Sequence, residues 1–296
     1  MIELPTRSGS YRWLYVDFTA GECSAVAIFM LGNIFSPGYS TGAARGVRPC
    51  RHSAVNFALY EHGARKQWAL TEYPHAHVSP SKKVLQIGRS TWTYGKKVAE
   101  VRVFEQGAPW GGATDAVLEF ELDGEPGPEV QLVEGLPHWW RPIAPRARAR
   151  LCVPALGLDV AGRAYHDGNH GEEQLGSTLR GWRWARTHGT DETRIRYEPP
   201  DAPAIEVTAR DGSVSVSRNE AARAPQLRRS GWGLDLPGDY QGATPRVLES
   251  SPFYARLEAE KNGDHTLGEV ADFRRFHHPL VRWMANFRMR TEAAPV

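Results

Sequence analysis

Alternation of apolar and polar residues with a period of two recurs along this chain and constrains its fold more than any other pattern. Residues 98–104 and 117–122 carry an apolar side chain at every second position, as a strand with one wetter face does. Residues 11–18 are apolar on both faces, and residues 147–153 alternate small apolar residues with arginine. Because no alternation of strands with helices supports a parallel sheet, we predict an all-β, mainly antiparallel chain that is barrel-like or sandwich-like.

Turn and helix signals complete this pattern. Asp211 and Gly212 separate two alternating segments, and an Asp-Gly pair supplies the two positive φ angles of a type I′ hairpin turn. Helical signals are few, and residues 53–60 and 252–261 are each expected to form a short helix. Residues 281–290 place Val, Trp, Ala, Phe and Met at alternate positions, which predicts a late strand with an arginine-bearing outer face.

A short segment marked by proline, glycine and apolar residues divides the chain. It covers residues 154–164 and indicates a seam, so we predict an N-terminal unit at residues 1–155 and a C-terminal unit at residues 156–296. A chain of 296 residues is long enough for one large domain or for two domains of average size.

The composition excludes several classes of protein. Hydrophobic residues make up 41% and charged residues 24% of the chain, which argues against disorder and against a coiled coil. The net charge of +2 provides no field that would attract nucleic acid, so no nucleic-acid partner is expected. Ten Trp, ten Tyr and ten Phe favour β-structure and large apolar pockets.

The cysteines and the longest apolar run bear on location. Cys23, Cys50 and Cys152 are odd in number and far apart, so neither a disulfide framework nor a structural zinc site is expected, as in a reducing compartment. The first residues lack the basic and apolar regions of a signal peptide, and the run at residues 25–31 is too short to span a bilayer. We expect a cytoplasmic protein, with peripheral contact at the inner membrane surface as a further expectation.

Motifs for nucleotide and metal chemistry do not fit the chain. It contains no GxxxxGK[ST] phosphate loop, no HExxH motif and no GxSxG elbow. His166 and His170 stand four residues apart, but Gly168 and Asn169 between them disfavour the helix on which such a pair binds zinc. Neither a metal nor another cofactor is therefore expected.

Two segments carry residues suited to chemistry. LPHWWRPIAP contains a His-x-Trp pair at His138 and Trp140, and GRAYHDGNHG contains a Tyr-x-Asp pair at Tyr165 and Asp167. The two pairs are offset by 27 residues, from His138 to Tyr165. With DFTAGECS near the start, and DFRRF and FRMR near the end, these segments make most of the chain resemble the carotenoid 1,2-hydratase (hydroxyneurosporene synthase) family.

The resemblance implies a site, a reaction and a fold. Position by position, it places His138, Trp140, Tyr165 and Asp167 in the family's functional positions. It implies a cofactor-independent hydration of the end of an acyclic carotenoid, which yields a tertiary alcohol. It also implies two lipocalin-like antiparallel β units packed together.

The residue types suit this reaction independently of the resemblance. Protonating an isolated alkene requires a neutral acid, and burial in an apolar pocket raises the pKa of a carboxyl such as that of Asp167. The resulting tertiary carbocation is stabilised by desolvated aromatic faces by ~1–2 kcal/mol each, a task suited to Trp140 and Tyr165. An imidazole can orient and deprotonate the attacking water, and His138 is the predicted base.

Strand geometry gives the four residues a common direction. In an extended strand, residues i and i+2 share a face. His138 and Trp140 would point together, as would Tyr165 and Asp167, and all four can meet if their strands line one cavity. The residues between them would point away.

Further aromatic residues are candidates for binding the substrate. Trp182 and Trp184 share a strand face, and Trp139 belongs to the Trp-Trp pair. Core packing is the alternative for each of these side chains. The alternative for Asp167 is a turn in which its carboxylate accepts backbone N–H bonds, which would lower its pKa.

Three functions remain open at this point. The first is a hydro-lyase that adds water to a terminal double bond of a carotenoid or a similar isoprenoid. The second is a lipocalin-like cyclase of a terpenoid or another polyene, with Asp167 as the protonating or hydrogen-bonding group. The third is a binder of lipophilic ligands without catalysis.

Overall fold

Two large, mainly antiparallel sheets packed against each other make up most of the molecule in this computed structural model. The structure describes residues 2–108, 110–122, 124–200, 202–219 and 226–292. The predicted all-β class with few short helices is confirmed.

The first sheet contains thirteen strands within the described ranges. They are β1 (Tyr11–Ala20), β2 (Cys23–Leu31), β3 (Ser53–Glu61), β4 (Ala64–Tyr73), β5 (His77–Val78), β6 (Val84–Ile87), β7 (Ser90–Tyr94), β8 (Val98–Gln106), β9 (Ala113–Glu121), β10 (Val130–Gln131), β11 (His138–Val153), β12 (Leu158–Gly171) and β22 (Arg290–Thr291). Their order is β22-β4-β3-β2-β1-β12-β11-β9-β8-β7-β6-β5, with β10 beside β11, and β22 pairs with β4 in parallel.

The second sheet has seven strands and a small ribbon accompanies it, again within the described ranges. The seven are β13 (Gly181–His188), β14 (Glu192–Glu198), β15 (Ala204–Arg210), β16 (Ser213–Asn219), β19 (Arg246–Ser250), β20 (Tyr254–Lys261) and β21 (Asp264–Asp272). Their order is β16-β15-β14-β13-β21-β20-β19, and the ribbon pairs β17 (Leu227–Arg229) with β18 (Asp235–Pro237).

Short helices lie outside the sheets. The α-helices are α1 (Pro37–Gly42) and α2 (Pro279–Phe287), and the 3-10 helices are Ala43–Arg45, Pro49–His52, Pro154–Leu156 and Phe273–His277. Within the described ranges, no helix combines the length and the hydropathy that crossing a bilayer would require.

The first sheet curls, and its two faces cover different cores. Tyr73 on β4 donates a hydrogen bond to Glu105 on β8 across 2.9 Å, which joins distant strands of the curled sheet. Val16 and Phe18 on β1 pack into the core inside the curl, whereas Trp13 on the same strand packs into the core shared with the second sheet. This position between two cores explains why residues 11–18 are apolar on both faces.

The predicted hairpin is confirmed. Strands β15 and β16 are joined by Asp211 and Gly212, whose φ angles of 51° and 76° are both positive, as a type I′ turn requires.

Three secondary-structure predictions are wrong. Residues 53–60 form strand β3 and residues 254–261 form strand β20, not helices. Both strands consist largely of consecutive buried residues, so a period of two is masked. Residues 281–287 belong to helix α2 rather than to a strand, because Pro279 at its first turn and the His278 side-chain cap start a helix there.

The change from one sheet to the other falls at residues 172–180. Strand β12 pairs with both β1 and β11, and therefore belongs to the first sheet. The division into units at residues 1–155 and 156–296 stays a prediction.

Candidate active site

Strands β11 and β12 carry the two predicted residue pairs to the interface between the sheets. Strand β12 continues to Gly171, so Asp167 lies within a strand and not in a turn. Across from it, the register of β11 shifts on both sides of Ala144, where Pro142 and Pro145 lack the N–H groups that a regular ladder needs. This irregularity begins directly opposite Asp167, which pairs with Pro142.

Two of the four predicted residues donate hydrogen bonds to the same carboxyl oxygen of a third, Asp167. Trp140 Nε1 donates a hydrogen bond to Asp167 Oδ2 at 2.7 Å, and the Tyr165 hydroxyl donates to the same oxygen at 2.6 Å. All three side chains are buried. The other carboxyl oxygen, Asp167 Oδ1, has no hydrogen-bond partner among the described residues.

Burial dominates the acidity of this carboxyl. It raises the pKa of Asp167 to about 7, although the hydrogen bonds from Tyr165 and Trp140 act in the opposite direction. The negative charges of Glu269 and Asp17 raise this pKa further. A substantial fraction of Asp167 is therefore protonated near neutral pH.

A cavity of about 490 Å³ lies between the two sheets, and Asp167 forms part of its wall. The wall is largely apolar and aromatic, with Trp182 and Trp184 from β13 and Tyr197 from β14. Asn169, two residues after Asp167 and on the same strand face, also lines it, and its side-chain oxygen has no hydrogen-bond partner among the described residues. The cavity thus presents a carboxyl and an amide within an aromatic enclosure.

Trp182 and Trp184 therefore lie where a substrate-binding role would need them, whereas Trp140 and Tyr165 lie outside the lining of the cavity. Trp140 and Tyr165 contact Asp167 on the side away from the cavity. Trp184 lines the cavity and packs against Tyr165, with the centroids of their two rings 5.3 Å apart. Trp140 and Tyr165 were expected to face the substrate; in the structure both side chains donate hydrogen bonds to Asp167 instead.

A charged cluster on the second sheet was missed by sequence reasoning. Arg256 binds Glu249 Oε1 at 2.6 Å and Glu269 Oε1 at 3.1 Å, and all three residues line the cavity although they are buried or nearly so. Burial raises the pKa of Glu269, and the Arg256 guanidinium opposes that rise. These residues lie on three different strands, so no local spacing in the sequence could have indicated the cluster.

His138 lies apart from the other three predicted residues. It pairs with Gly171 across the strands while Asp167 pairs with Pro142, so four residues, or ~13 Å of strand, separate the two positions. Its ring nitrogens bond the Tyr11 hydroxyl at 3.1 Å and the Thr178 hydroxyl at 3.0 Å. Burial lowers the pKa of His138 to about 4, so the ring is neutral near pH 7.

The neighbours of the predicted pairs point elsewhere, as the alternation predicted. His166 faces the core inside the curl, where its ring bonds the Tyr94 hydroxyl at 2.7 Å and the backbone oxygen of Tyr15 at 2.7 Å. Trp139 stacks on His170 with ring centroids 5.2 Å apart and does not line the cavity. Within the described ranges, no group of three or more His, Cys, Asp or Glu side chains is arranged to hold a metal ion. The absence of a cofactor remains a prediction.

Comparison with protein families gives one match over nearly the whole chain. The sequence model of the family described as carotenoid hydratase CrtC matches residues 27–294. The chain is 29% identical over 310 residues to an acyclic carotenoid 1,2-hydratase of Thiocapsa roseopersicina, covering 97% of this chain and 74% of that protein. It is 30% identical over 284 residues to an acyclic carotenoid 1,2-hydratase of Cereibacter sphaeroides, covering 88% of this chain and 96% of that protein.

Two solved structures share the fold. One is an AttH protein from Nitrosomonas europaea, with a TM-score of 0.53 and 13% identity over 89% of this chain and 92% of that chain. The other is CghA in complex with Sch210972, with a TM-score of 0.53 and 12% identity over 89% of this chain and 88% of that chain. At these identities the likeness concerns the fold alone, and the predicted lipocalin-like architecture is confirmed.

Proposed function

Because this chain belongs to the carotenoid hydratase CrtC family, we propose that it adds water to a terminal carbon–carbon double bond of an acyclic carotenoid or a related isoprenoid. The observation that carries the proposal is the arrangement of Asp167, a buried carboxyl on the wall of an apolar cavity with its pKa raised to about 7. Oδ2 is occupied by two donors, so Oδ1 is the oxygen that carries a transferable proton.

The first step is proton transfer to carbon. Asp167 Oδ1–H gives its proton to the terminal alkene carbon, and the electron pair of the double bond forms the new C–H bond. Trp140 and Tyr165 stabilise the carboxylate that remains, because both donate hydrogen bonds to Oδ2. These two residues are positioning residues for the acid.

The cavity wall then stabilises the tertiary carbocation. Trp182 and Trp184 offer aromatic faces, which are worth ~1–2 kcal/mol each toward a desolvated cation. Glu269 pairs with Trp184 across neighbouring strands of the same sheet and, with Glu249, binds Arg256. Arg288 also lines the cavity, so the charges of this cluster balance, and the aromatic faces together with the new Asp167 carboxylate stabilise the cation.

Water completes the addition. The unpartnered side-chain oxygen of Asn169 is the group that we assign to the attacking water, since it can accept a hydrogen bond beside Asp167. The water oxygen bonds to the cation, and the proton that it releases returns to the Asp167 carboxylate, which regenerates the acid without a cofactor. His138 is assigned a positioning role, because both of its ring nitrogens are engaged by Tyr11 and Thr178.

Replacement of the acid tests the proposal. We expect Asp167→Asn to lower kcat for hydration by at least ~10²-fold, because an amide has no acidic proton to transfer. The assay incubates purified protein with an acyclic carotenoid and measures, by mass spectrometry, the product that is heavier by one water. Substantial hydration by a folded Asp167→Asn protein would rule out the acid assignment.

Glu105 provides the matched control. It is also a buried carboxyl whose pKa burial raises to about 7, and it accepts hydrogen bonds from Ser90 and Tyr73 outside the cavity. We expect Glu105→Gln to keep hydration activity close to that of the unmodified protein. A comparable loss in both variants would mean that losing a buried carboxyl, rather than an acid at the cavity, explains the effect.

The size of the cavity favours one rival function, a polyene cyclase. About 490 Å³ lies in the range of pockets that enclose compact, drug-sized ligands, so a folded polyene is a candidate occupant as well as the end of a long one. The same assay separates the two reactions with an acyclic carotenoid and with a linear polyene precursor. A product of unchanged mass supports cyclisation, and tight binding without any product supports a binding protein.

A further inference from the structure

Exposed aromatic side chains are concentrated at one place on the molecule. The mouth patch consists of Trp110, Trp232, Leu280, Trp283 and Phe287, whose exposed fractions range from 49% to 86%. Within the described ranges it contains every large, exposed Trp or Phe side chain. Contiguous exposed apolar surface of this kind is typical of an interaction site.

Four of the five members of the mouth patch are neighbours, and Trp232 lines the same cavity as Trp283 and Phe287. The rings of Trp283 and Phe287 stack with centroids 5.8 Å apart, and Trp110 meets Phe287 edge-on at 5.9 Å. Leu280 lies one helical turn before Trp283 on α2, on the same helix face.

The patch surrounds the entrance of the cavity. Trp232, Trp283 and Phe287 line the cavity and are nevertheless about half exposed or more, so they form its rim. Helix α2 turns Ala285 into the protein while the exposed side chains of the same helix point outward, so the rim is held by a short amphipathic helix.

The segment that carries the rim is basic. Residues 272–290 contain five arginines, two histidines and one acid, Asp272, which forms ion pairs with Arg274 and Arg275, in a chain whose net charge is only +2. Arg282 bonds the backbone oxygen of Phe276, and Arg288 lies 4.5 Å from the ring centroid of Trp68. Among the described residues, neither guanidinium lies within ion-pair distance of a carboxylate. Arginine beside exposed tryptophan and phenylalanine is the composition of helices that lie in the interface of an anionic membrane.

We propose that the mouth patch docks on the surface of an anionic lipid bilayer, so that a lipophilic substrate passes from the membrane into the cavity. The location of the substrate in the bilayer rests on the proposed function, whereas the docking itself does not. Trp and Phe enter the headgroup boundary, and the arginines contact lipid phosphates.

Vesicle binding tests the docking. The full chain is sedimented with vesicles of phosphatidylcholine alone or of phosphatidylcholine mixed with phosphatidylglycerol. We expect preferential binding to the anionic vesicles, and weaker binding as salt is raised. Equal binding to both compositions, or no binding, would overturn the proposal.

Two double variants localise the contact. Trp110→Ser with Leu280→Ser alters the mouth patch at residues that do not line the cavity, whereas Val98→Ser with Leu156→Ser alters other exposed apolar residues, outside the patch. We expect the first pair to weaken vesicle binding by at least about tenfold, because two apolar side chains no longer enter the bilayer, and the second pair to leave it unchanged. Equal behaviour of the two would refute the location. A patch-dependent dimer of the unmodified chain, detected by sedimentation velocity, would assign the patch to a second copy instead.

Activity in two media separates this proposal from the proposed function. With an acyclic carotenoid in detergent, we expect the Trp110→Ser, Leu280→Ser protein to match the unmodified chain, and with the carotenoid in anionic vesicles to be at least about tenfold slower. Equal rates in vesicles would overturn substrate transfer through the patch. Failure of hydration in both media by the unmodified chain would count against the proposed reaction, while vesicle binding would still decide the docking.

Discussion

The two oxygens of Asp167 have different surroundings, and in the proposed reaction they have different tasks. Oδ2 accepts from Trp140 and Tyr165, so its lone pairs are engaged away from the cavity. Oδ1, without a partner among the described residues, is left for the proton. A carboxyl held in this way has a fixed orientation, and its acidity depends on the two donors behind it.

The rate of hydration should therefore depend on pH through Asp167. We expect kcat/KM to fall above about pH 7, where Asp167 loses its proton. Tyr165→Phe removes a donor that lowers the pKa of Asp167, so the alkaline limb should move to higher pH while the maximal rate decreases. pH–rate profiles measure both effects.

Tyr73→Phe is the matched control for that profile. Tyr73 donates to Glu105, another buried carboxyl, at 2.9 Å outside the cavity, so its loss should leave the alkaline limb in place. A limb that does not move in Tyr165→Phe, or that moves to lower pH, would show that this hydroxyl does not tune the acid.

The sequence predicts which residues share a strand face, but it does not predict what each side chain contacts. Side chains two residues apart in a strand point in the same direction. Trp140 and Asp167, from two such pairs, are in contact at the interface between the sheets. Whether an aromatic ring lines the cavity or presents its N–H to a carboxyl depends on the neighbouring strands. That is why Trp140 was expected to face the cation, and why the cluster around Arg256 was not foreseen.

At the scale of elements, the end of β12 allows three strands to approach one another closely. A Cβ atom added at Gly171 would lie 2.5 Å from the ring of Tyr11 on β1 and 2.7 Å from Nδ1 of His138 on β11. Both distances are shorter than the normal separation between a Cβ atom and a non-bonded atom. Glycine at this position therefore allows the Tyr11–His138 hydrogen bond to form.

Gly171→Ala should consequently destabilise the protein. We expect a loss of about 1–3 kcal/mol in the free energy of unfolding, since the added methyl group overpacks the contact between Tyr11 and His138. Urea unfolding followed by tryptophan fluorescence measures the change. Gly124→Ala is the control, because a Cβ there meets nothing within 4 Å, and equal stability of the two variants would contradict the packing argument.

Helix α2 illustrates the limit of periodicity in a short segment. Its apolar residues fit alternation, but Leu280, Trp283, Met284 and Phe287 also fit the helical spacing of three and four. Pro279 and His278 decide in favour of a helix, because they supply a fixed φ angle and a side-chain cap. The helix-start signals at His278 and Pro279 therefore predict helix α2, whereas the spacing of its apolar residues fits both a strand and a helix.

On the scale of the whole molecule, buried polar contacts join the two sheets. Arg186 on β13 forms an ion pair with Asp17 on β1, and both side chains are completely buried. Burial raises the pKa of Asp17, and the charge of Arg186 opposes that rise. Ser24 on β2 adds a hydrogen bond to Glu258 on β20 at 2.8 Å.

Breaking the ion pair between Asp17 and Arg186 should destabilise the contact between the two sheets. We expect Asp17→Asn to lower the free energy of unfolding by about 3–5 kcal/mol, because the Arg186 guanidinium remains buried without its counter-charge. Thermal and urea unfolding measure the loss. Asp159→Asn, which breaks an exposed pair with Arg150, should have little effect, and an equally small effect of Asp17→Asn would contradict a role in joining the sheets.

The class of the fold followed from the sequence, whereas the contacts between the sheets did not. Alternation and the Asp211–Gly212 turn depend on neighbours in the chain, so strands and a hairpin could be predicted. Pairing of Asp17 with Arg186 joins residues that are distant in sequence, and no period encodes it. The place of β12 in the first sheet likewise depends on its pairing with β1.

The cavity between the sheets has one further consequence, for how relatives of this chain diversify. Asp167, the proposed proton donor, lies on β12, whereas much of the wall of the cavity is encoded after residue 180. Substitutions in that later stretch can reshape what the enclosure accepts without altering the acid or its two donors. New substrate ranges can thus arise by mutation or recombination in one half of the gene, while the first chemical step is inherited intact from the other.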